Sequence, residues 1–470
     1  MPVDREAVRA NAKYLRQVRP IDPDEIAEYV SGRPDPRVVA QVLREEALDL
    51  GLAERPDGTF MPAGEGPYRP SFGGVSEFPK RYADRLEDVL VAEYGPNWDQ
   101  GESGAALRDR ISRLKAEYYR QAEVAYDREV ALAYAVYHLP DYYASTQYVL
   151  ASMAEDGLLP ARLSVLDVGA GVGGPALAID DFYALGDQRL AGPPTVEYAA
   201  VEPSEAAGVL ETLLEARGRN FHPTVHRERA ERFEPGREYD LILFSNVLSE
   251  LGEPVGVVDR YVDFLASDGS IVLTAPADRN TSIELRRVER QLEEMGVTVY
   301  GPTVRLWPEE RPTEDCWSFD RRPDIAVPAV QERLAGDAER PAEIRNTSVK
   351  YSYSILRTDG HRRYDLALDT SNVAKMAEME AHVSNRIDLV AAKLSRDLAD
   401  DGHPVFKVSD GSERENHFAV LVSETELNRD LGTADYGALL SIQQALALWN
   451  DDEGAYNLVV DEETIVDVAH

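Results

Sequence analysis

Three short stretches carry residues whose types and spacing could do chemistry. The first is Leu163-Ser-Val-Leu-Asp-Val168, a buried-strand pattern that runs into Gly169-Ala170-Gly171-Val172-Gly173-Gly174 and then a helical stretch beginning near Pro175. Glycines at these positions permit positive φ and close approach of the backbone to a ligand, and the helix start adds free N–H groups. A glycine loop alone fits a dinucleotide fold equally well. Asp167 separates the two readings, because an acid two positions before the first glycine repels a pyrophosphate but can pair with a methionine ammonium, directly or through water. The second stretch, Tyr198-Ala-Ala-Val201, ends in Glu202, where a carboxylate can accept both ribose hydroxyls. Dinucleotide folds also place an acid there, so the discrimination comes from Asp167 and Glu202 together. They predict S-adenosylmethionine as cofactor.

The third stretch, Tyr239-Asp-Leu-Ile-Leu-Phe-Ser245 followed by Asn246-Val-Leu-Ser249-Glu250, puts polar groups at the carboxyl edge of a sheet, where open α/β folds bind ligands. The candidate cofactor-binding residues are Asp167, Gly169, Ala170, Gly171, Gly173, Glu202, Ser245 and Asn246, the last two being cofactor or substrate contacts. An acceptor for the adenine amine is expected near Glu228 to Glu231. No catalytic residue is assigned: methyl transfer depends mainly on holding nucleophile and methyl within about 3 to 3.5 Å. Glu250 either supports the next helix or takes part in catalysis. No metal is expected. Cys316 is the only cysteine, which excludes an intramolecular disulfide and a cysteine-built zinc site. His222 and His226 have metal-compatible spacing without a third ligand, so structural roles are expected for them.

The elements that must position these groups follow from periodicity. Short strands at Leu163 to Val168, Glu197 to Val201, Thr224 to Glu228, Tyr239 to Ser245 and Gly269 to Ala275 alternate with helical stretches, as a doubly wound parallel sheet requires. Before them, residues 1–62 show two helical patterns and a hairpin turning at Pro56-Asp57-Gly58, a winged-helix-like module whose recognition helix would carry Arg37, Arg44, Glu45 and Glu46. Met61 to Gly74, rich in Pro and Gly, reads as a linker. Helical periodicity returns through Tyr82 to Leu90 and Leu107 to Leu159; the tyrosines in Ala133 to Tyr143 either stack on bases or pack a core. After Tyr300 a Pro- and Arg-rich loop, Pro308 to Arg322, leads to β-like Ser348 to Arg357, a helix at about Asn372 to Leu398, and an alternating region, Val405 to Ser423. The expected fold is α/β: a Rossmann-like doubly wound sheet over 161–360, the winged-helix-like 1–62, a helical region 75–160 packed on the core, and a C-terminal α+β or barrel-like module over 361–470.

Length and charge bound the rest. At 470 residues two or three domains are expected, and no apolar run approaches the roughly 20 residues of a membrane span. A net charge of −35, with lysine scarce beside arginine, points to a high-salt cytoplasm. Electrolyte near 1 M screens charge beyond about 3 Å, so this acidity speaks to habitat and does not exclude a nucleic-acid partner.

Beyond these readings, Tyr134-Ala-Val-Tyr-His-Leu-Pro140-Asp-Tyr-Tyr-Ala144, Ser164-Val-Leu-Asp-Val-Gly-Ala-Gly171 and Ser245-Asn-Val-Leu-Ser-Glu-Leu251 resemble the mitochondrial small-ribosomal-subunit assembly methyltransferases and their microbial relatives, within class I. Cys316-Trp-Ser-Phe319 and Ser348-Val-Lys-Tyr-Ser-Tyr353 resemble that family's cysteine-bearing segment and downstream strand. The resemblance spans about residues 120–360. It implies association with the small subunit or its rRNA, and leaves open whether a methyl group is transferred. Relatives can hold an iron–sulfur cluster, which takes four thiolates; one cysteine does not carry it over. Three functions follow: an rRNA methyltransferase, a cofactor-binding assembly factor that transfers nothing, and a methyltransferase for a small molecule or protein. No Asn-Pro-Pro-Tyr-like loop follows the fourth strand to hold an exocyclic amine. RNA contact is expected from the loop bearing Arg305, Arg311, Arg321, Arg322, Trp307 and Trp317; the alternative is a solvated loop with its tryptophans pinned to the domain.

Overall fold

The computed structural model describes residues 3–119 and 127–469, so residues 120–126 of the expected helical stretch Leu107 to Leu159 lie outside the described residues. The chain divides into two compact units, residues 1–243 with 324–347, and residues 244–323 with 348–470.

The first unit opens with helices α1 (Arg5–Leu15), α2 (Pro23–Tyr29), α3 (Pro36–Glu45) and α4 (Ala47–Leu50), then a hairpin of β1 (Leu52–Glu54) and β2 (Phe60–Pro62). Four helices replace the two expected, because Pro23 and Pro36 each start a new helix behind an aspartate cap, Asp22 and Asp35. They close over their own core, including Val8, Ile26, Val39, Leu43, Leu52 and Phe60. On α3, Arg44 is forked onto Glu54, with donor distances of 2.6 and 2.8 Å, which takes it out of service as a recognition cation.

Met61 to Gly74 is not a free linker. Gly64 N–H donates to Pro193 (2.9 Å), Tyr68 N–H to Leu159 (2.7 Å), and the fully buried Tyr68 hydroxyl to the Phe182 carbonyl (2.8 Å). The glycine is there for close approach, since a Cβ on Gly64 would lie 2.6 Å from the Gly192 carbonyl oxygen.

Helices α5 (Lys80–Tyr94), α6 (Gly101–Tyr119), α7 (Arg128–Tyr137) and α8 (Leu139–Glu155) follow. Pro140 in the first turn of α8 breaks it from α7. The bend is held by Gln331 Nε2 on the Val136 carbonyl (2.9 Å) and Asn346 Nδ2 on that of Tyr137 (3.2 Å). Tyr134, Tyr142 and Tyr143 are buried, the packing alternative of the sequence reading. Strands β3 (Arg162–Val168), β4 (Thr195–Val201), β5 (Phe221–His226) and β6 (Tyr239–Ser245) form parallel pairs in the order β5-β4-β3-β6, with α9 (Gly174–Ala184) and α10 (Ala206–Leu213) as crossovers.

In the second unit, α11 (Pro254–Val262), β7 (Leu265–Pro276), α12 (Arg279–Glu294), β8 (Thr298–Gly301), β9 (Asp320–Arg322) and β10 (Val349–Arg357) follow in the chain. Strand β10 lies antiparallel between β7 and β8, and β9 adds to β10. Paths 3-2-1-4 and 5-7-6, the latter with its seventh strand reversed, are those of class I methyltransferases. The remainder is mostly β: β11 (Arg386–Lys393), β12 (Val405–Ser409), β13 (Asn416–Leu421), β14 (Leu439–Asn450), β15 (Ala455–Val460) and β16 (Ile465–Val468). The helix expected at Asn372 to Leu398 is absent. In its place are a 3₁₀ segment, Met376–His382, and β11, where Ile387, Leu389 and Ala391 alternate inward with the period of a strand. None of the described helices is long and apolar enough to cross a membrane.

Candidate functional site

Strand β3 delivers the chain into a loop with φ of +77° at Gly169, +53° at Gly171 and +94° at Gly173, values that favour glycine. The last two differ in what surrounds them. A Cβ on Gly171 would meet nothing within 4 Å, so the loop is open there, whereas one on Gly173 would lie 2.3 Å from Leu210 Cδ1 of α10. The loop is tied to the end of β4: Gly169 and Ala170 N–H donate to the Val201 carbonyl at 2.8 and 3.2 Å.

Glu202 is the clasp. Its Oε2 accepts the Gly171 N–H at 2.9 Å and its Oε1 accepts the Ser204 N–H at 2.9 Å, while the residue is 7% exposed. A carboxylate offers about four acceptor positions, so roughly two remain for a diol.

Asp167 is fully buried beneath the loop. Its Oδ2 accepts the Tyr198 hydroxyl, and its Oδ1 has no hydrogen-bond partner. Burial pushes its carboxyl up to about 7, against the pull of the Tyr198 hydrogen bond, and the negative charge of Glu202 adds to the rise. Of the two modes expected for this acid, its burial fits water-mediated or through-space action on an ammonium better than direct contact.

Tyr198, which the sequence reasoning did not single out, is the hydrogen-bond donor to Asp167. The signal was available in the parallel register, which sets Tyr198 opposite Val165 and Ala200 opposite Asp167, so that the ring and the acid share one face. Tyr142, for which base stacking and core packing were the two expectations, has its Cβ 3.2 Å from where a Cβ on Gly174 would stand. That brings the start of α8 against the first turn after the loop. Glu228 and Glu231 are exposed on the loop after β5.

Ser245 and Asn246 belong to the end of β6 and its exit. Asn246 has φ +58°, which asparagine tolerates better than most residues, and its N–H donates to the Thr274 carbonyl at 3.0 Å. Among the described residues no group of three or more His, Cys, Asp or Glu is placed to hold a metal. Cys316 is free and buried, and burial raises its thiol to about 11.

Of the residues from which RNA contact was expected, Arg311 and Arg321 are exposed, while Arg305, Trp307 and Arg322 are engaged within the fold. Arg305 is buried against Glu293 (2.8 Å) and Glu289 (3.3 Å), Trp307 donates to Asp410 (2.7 Å), and Arg322 pairs with Asp320 (2.7 Å) and Asp435 (3.1 Å). The guanidiniums satisfy internal carboxylates because an arginine cannot shed its charge when buried. Trp317 is partly exposed, with its Nε1 on the Ala277 carbonyl.

Residues 137–329 match the family model of a methyltransferase domain. Residues 5–56 and 377–469 match the models of the N-terminal and C-terminal domains of DUF8157, a domain of unknown function. No curated protein matches the chain. Similar solved structures include the plantazolicin methyltransferase BpumL in complex with a pentazolic analog and SAH, 11% identical, with 59% of this chain and 97% of that one covered and a TM-score of 0.30. Others are a methyltransferase from Thermoplasma acidophilum described as putative (15%, 44% and 71%, 0.28) and DesVI of Streptomyces venezuelae (20%, 28% and 50%, 0.21). Residues 137–329 match a methyltransferase-domain model on a sheet of class I strand order, and S-adenosylmethionine is the cofactor that the sequence leads one to expect there. The residues present fit that group: an unpartnered buried carboxylate oxygen, a second acid with spare acceptor capacity, and a loop open at Gly171.

Proposed function

We propose that the chain is a methyltransferase acting at the small ribosomal subunit, with rRNA as the acceptor. The observation that carries the methyltransferase part is the clasp of Glu202 on Gly171, which fixes the loop in left-handed backbone over a buried acid. S-adenosylmethionine, when bound, supplies an electrophilic methyl group. The chain's own residues then hold and orient: Glu202 offers acceptors, Asp167 offers negative charge from below, and the loop backbone permits close approach.

The ribosomal part rests on the resembling segments. It is supported by the packing of the first of them, at Tyr142, on Gly174, just beyond the end of the second. Isothermal titration of S-adenosylmethionine into the protein in high potassium chloride, beside Asp167→Ala, tests the cofactor site. Labelled methyl transfer to homologous small subunits tests the acceptor. Binding with label in rRNA is the expected result. Binding without label would favour an assembly factor, and failure to co-sediment with small subunits at any magnesium or salt concentration would remove the ribosomal reading.

A further inference from the structure

Strands β11 to β15 close into a barrel in the order β11-β12-β13-β15-β14, with β14 returning to β11, β13 and β15 parallel, and a helical turn at Asp430–Thr433 between the third and fourth strands. This is the topology of oligonucleotide-binding barrels, which use the face of the second and third strands and the loops joining strands 1–2 and 4–5. Here the β12 part of that face, and the loop joining β12 to β13, are taken by the chain itself. Lys407 on β12 is buried against Glu314 (3.2 Å), Thr313 N–H donates to the Glu413 carbonyl (3.0 Å), and Trp307 reaches Asp410. The 4–5 loop is Asp451-Asp452-Glu453-Gly454, exposed and acidic, so it repels phosphate.

The outer face from β13 onward is open. Ala419, Leu421, Leu458, Val460, Ala445 and Ala447 fill the barrel. Their neighbours point outward, and the register lines them up as two rows, Val420–Val459–Leu446 and Phe418–Asn457–Leu448. Five of these six are apolar and none is fully buried; Leu448 is 37% exposed. Both strand ends of the patch are acidic. Glu415, Asp451, Asp452 and Glu453 stand at one against Arg414, and Glu424 and Glu462 at the other, where Arg386 is already bonded to Asp461 and Glu463.

We propose that the outer face of β13, β15 and β14 docks a basic protein segment that presents apolar side chains. An apolar patch rimmed by one sign of charge selects a partner of the opposite sign. A second copy would set acid against acid, and RNA would set phosphate against acid. In the ribosomal reading proposed above, on which this rests for its choice of probe, the partner is a basic protein of the small subunit.

The test uses the full chain, with total protein extracted from purified small subunits and, separately, protein-free small-subunit rRNA as immobilised probes. Asn457 is polar and central to the patch, so substituting it removes no apolar packing. Asn457→Arg should weaken binding to the protein probe at least tenfold and Asn457→Glu should not, while both leave cofactor titration unchanged; Leu448→Glu should weaken it likewise. Equal binding by all variants overturns the proposal even if small-subunit co-sedimentation stands. Binding to rRNA that the variants abolish overturns it in favour of RNA, and self-association that they abolish overturns it in favour of a second copy. No binding to either probe overturns it as well, and cofactor titration with co-sedimentation then shows whether the proposed function survives.

Discussion

Replacing Asp167 by asparagine isolates what a buried charge costs this fold. The side chain is fully buried, and its carboxyl is raised from an ordinary 3.8 to about 7 by burial first, with Glu202 adding and the Tyr198 hydroxyl opposing. A folded-state pKa above the unfolded one means that folding takes up a proton between the two values. The stability supplied by the neutral acid is whole below about pH 4 and is lost as pH climbs through about 7. Across roughly three decades, at about 1.36 kcal/mol each, the swing is on the order of 4 kcal/mol. About 2 to 3 kcal/mol of it falls between pH 5 and 8.5. Asn keeps the size and can still accept from Tyr198, but it does not ionise. Urea unfolding of wild type and Asp167→Asn at both pH values should therefore show the variant gaining on the wild type by about that amount at the higher pH. An unchanged gap would refute the argument that Asp167 ionises inside the fold. The same logic says that a cationic ligand pulls the proton off: titration of S-adenosylmethionine at pH 6 in two buffers of different ionisation heat should report proton release from the wild type and none from the variant.

Other perturbations follow from the same contacts. Gly171→Ala meets no atom and should cost only the left-handed backbone, about 1–2 kcal/mol, whereas Gly173→Ala adds the approach to Leu210; melting temperatures should fall in the order wild type, Gly171→Ala, Gly173→Ala. Glu202→Gln sets an amide N–H₂ against one of two N–H donors, costing about 1–3 kcal/mol, and calorimetry should show at least a tenfold loss of cofactor affinity with the circular dichroism spectrum unchanged. Arg286 is fully buried between Glu289 (2.6 Å), Ser318 and Tyr436. Arg286→Met should destabilise by about 3–5 kcal/mol, and adding Glu289→Gln should recover part of it in denaturant melts. Binding to small subunits, measured from 0.5 to 3 M potassium chloride, should show a shallow log–log salt slope; a steep negative slope would mean that many phosphates are contacted after all.

β3, β4 and β6 were legible because each carries a short apolar run before a glycine, an acid or an asparagine. β6 has the expected bounds, and β3 and β4 begin one and two residues early. β5 begins at Phe221, three residues before the expected Thr224, because a half-exposed edge strand has a weak apolar signal. The glycine loop and both acids were legible as types, but not their roles toward each other. That Glu202 clasps Gly171 and that Tyr198 covers Asp167 depend on the register between β3 and β4, which no single-strand pattern encodes. β11 was misread because Ala391, Ala392 and Leu394 extend its period-2 pattern into a run that also suits a helix, and only pairing with β14 decides the matter. The internal pairing of Arg305 and Arg322 was not legible for a related reason: composition counts guanidiniums without saying which carboxylates they face.

Those carboxylates decide how such a chain could meet a ribosome. Arg44 and Arg219 converge on Glu54, Arg322 and Arg396 on Asp320 and Asp435, and Arg286 and Arg305 on Glu289. A guanidinium already forked onto a carboxylate must give it up to take a phosphate, and the buried pairs keep their attraction in salt that screens exposed ones. Net charge is −35 over the whole chain, and these six arginines are engaged within the fold. Docking on a ribonucleoprotein by such a surface would then fall to protein contacts, in which an acidic rim faces basic side chains and an apolar face supplies the part that salt does not weaken. The outer face of β13, β15 and β14 has that composition, while the cofactor loop, at the other task, needs only to hold one small cation over one buried acid.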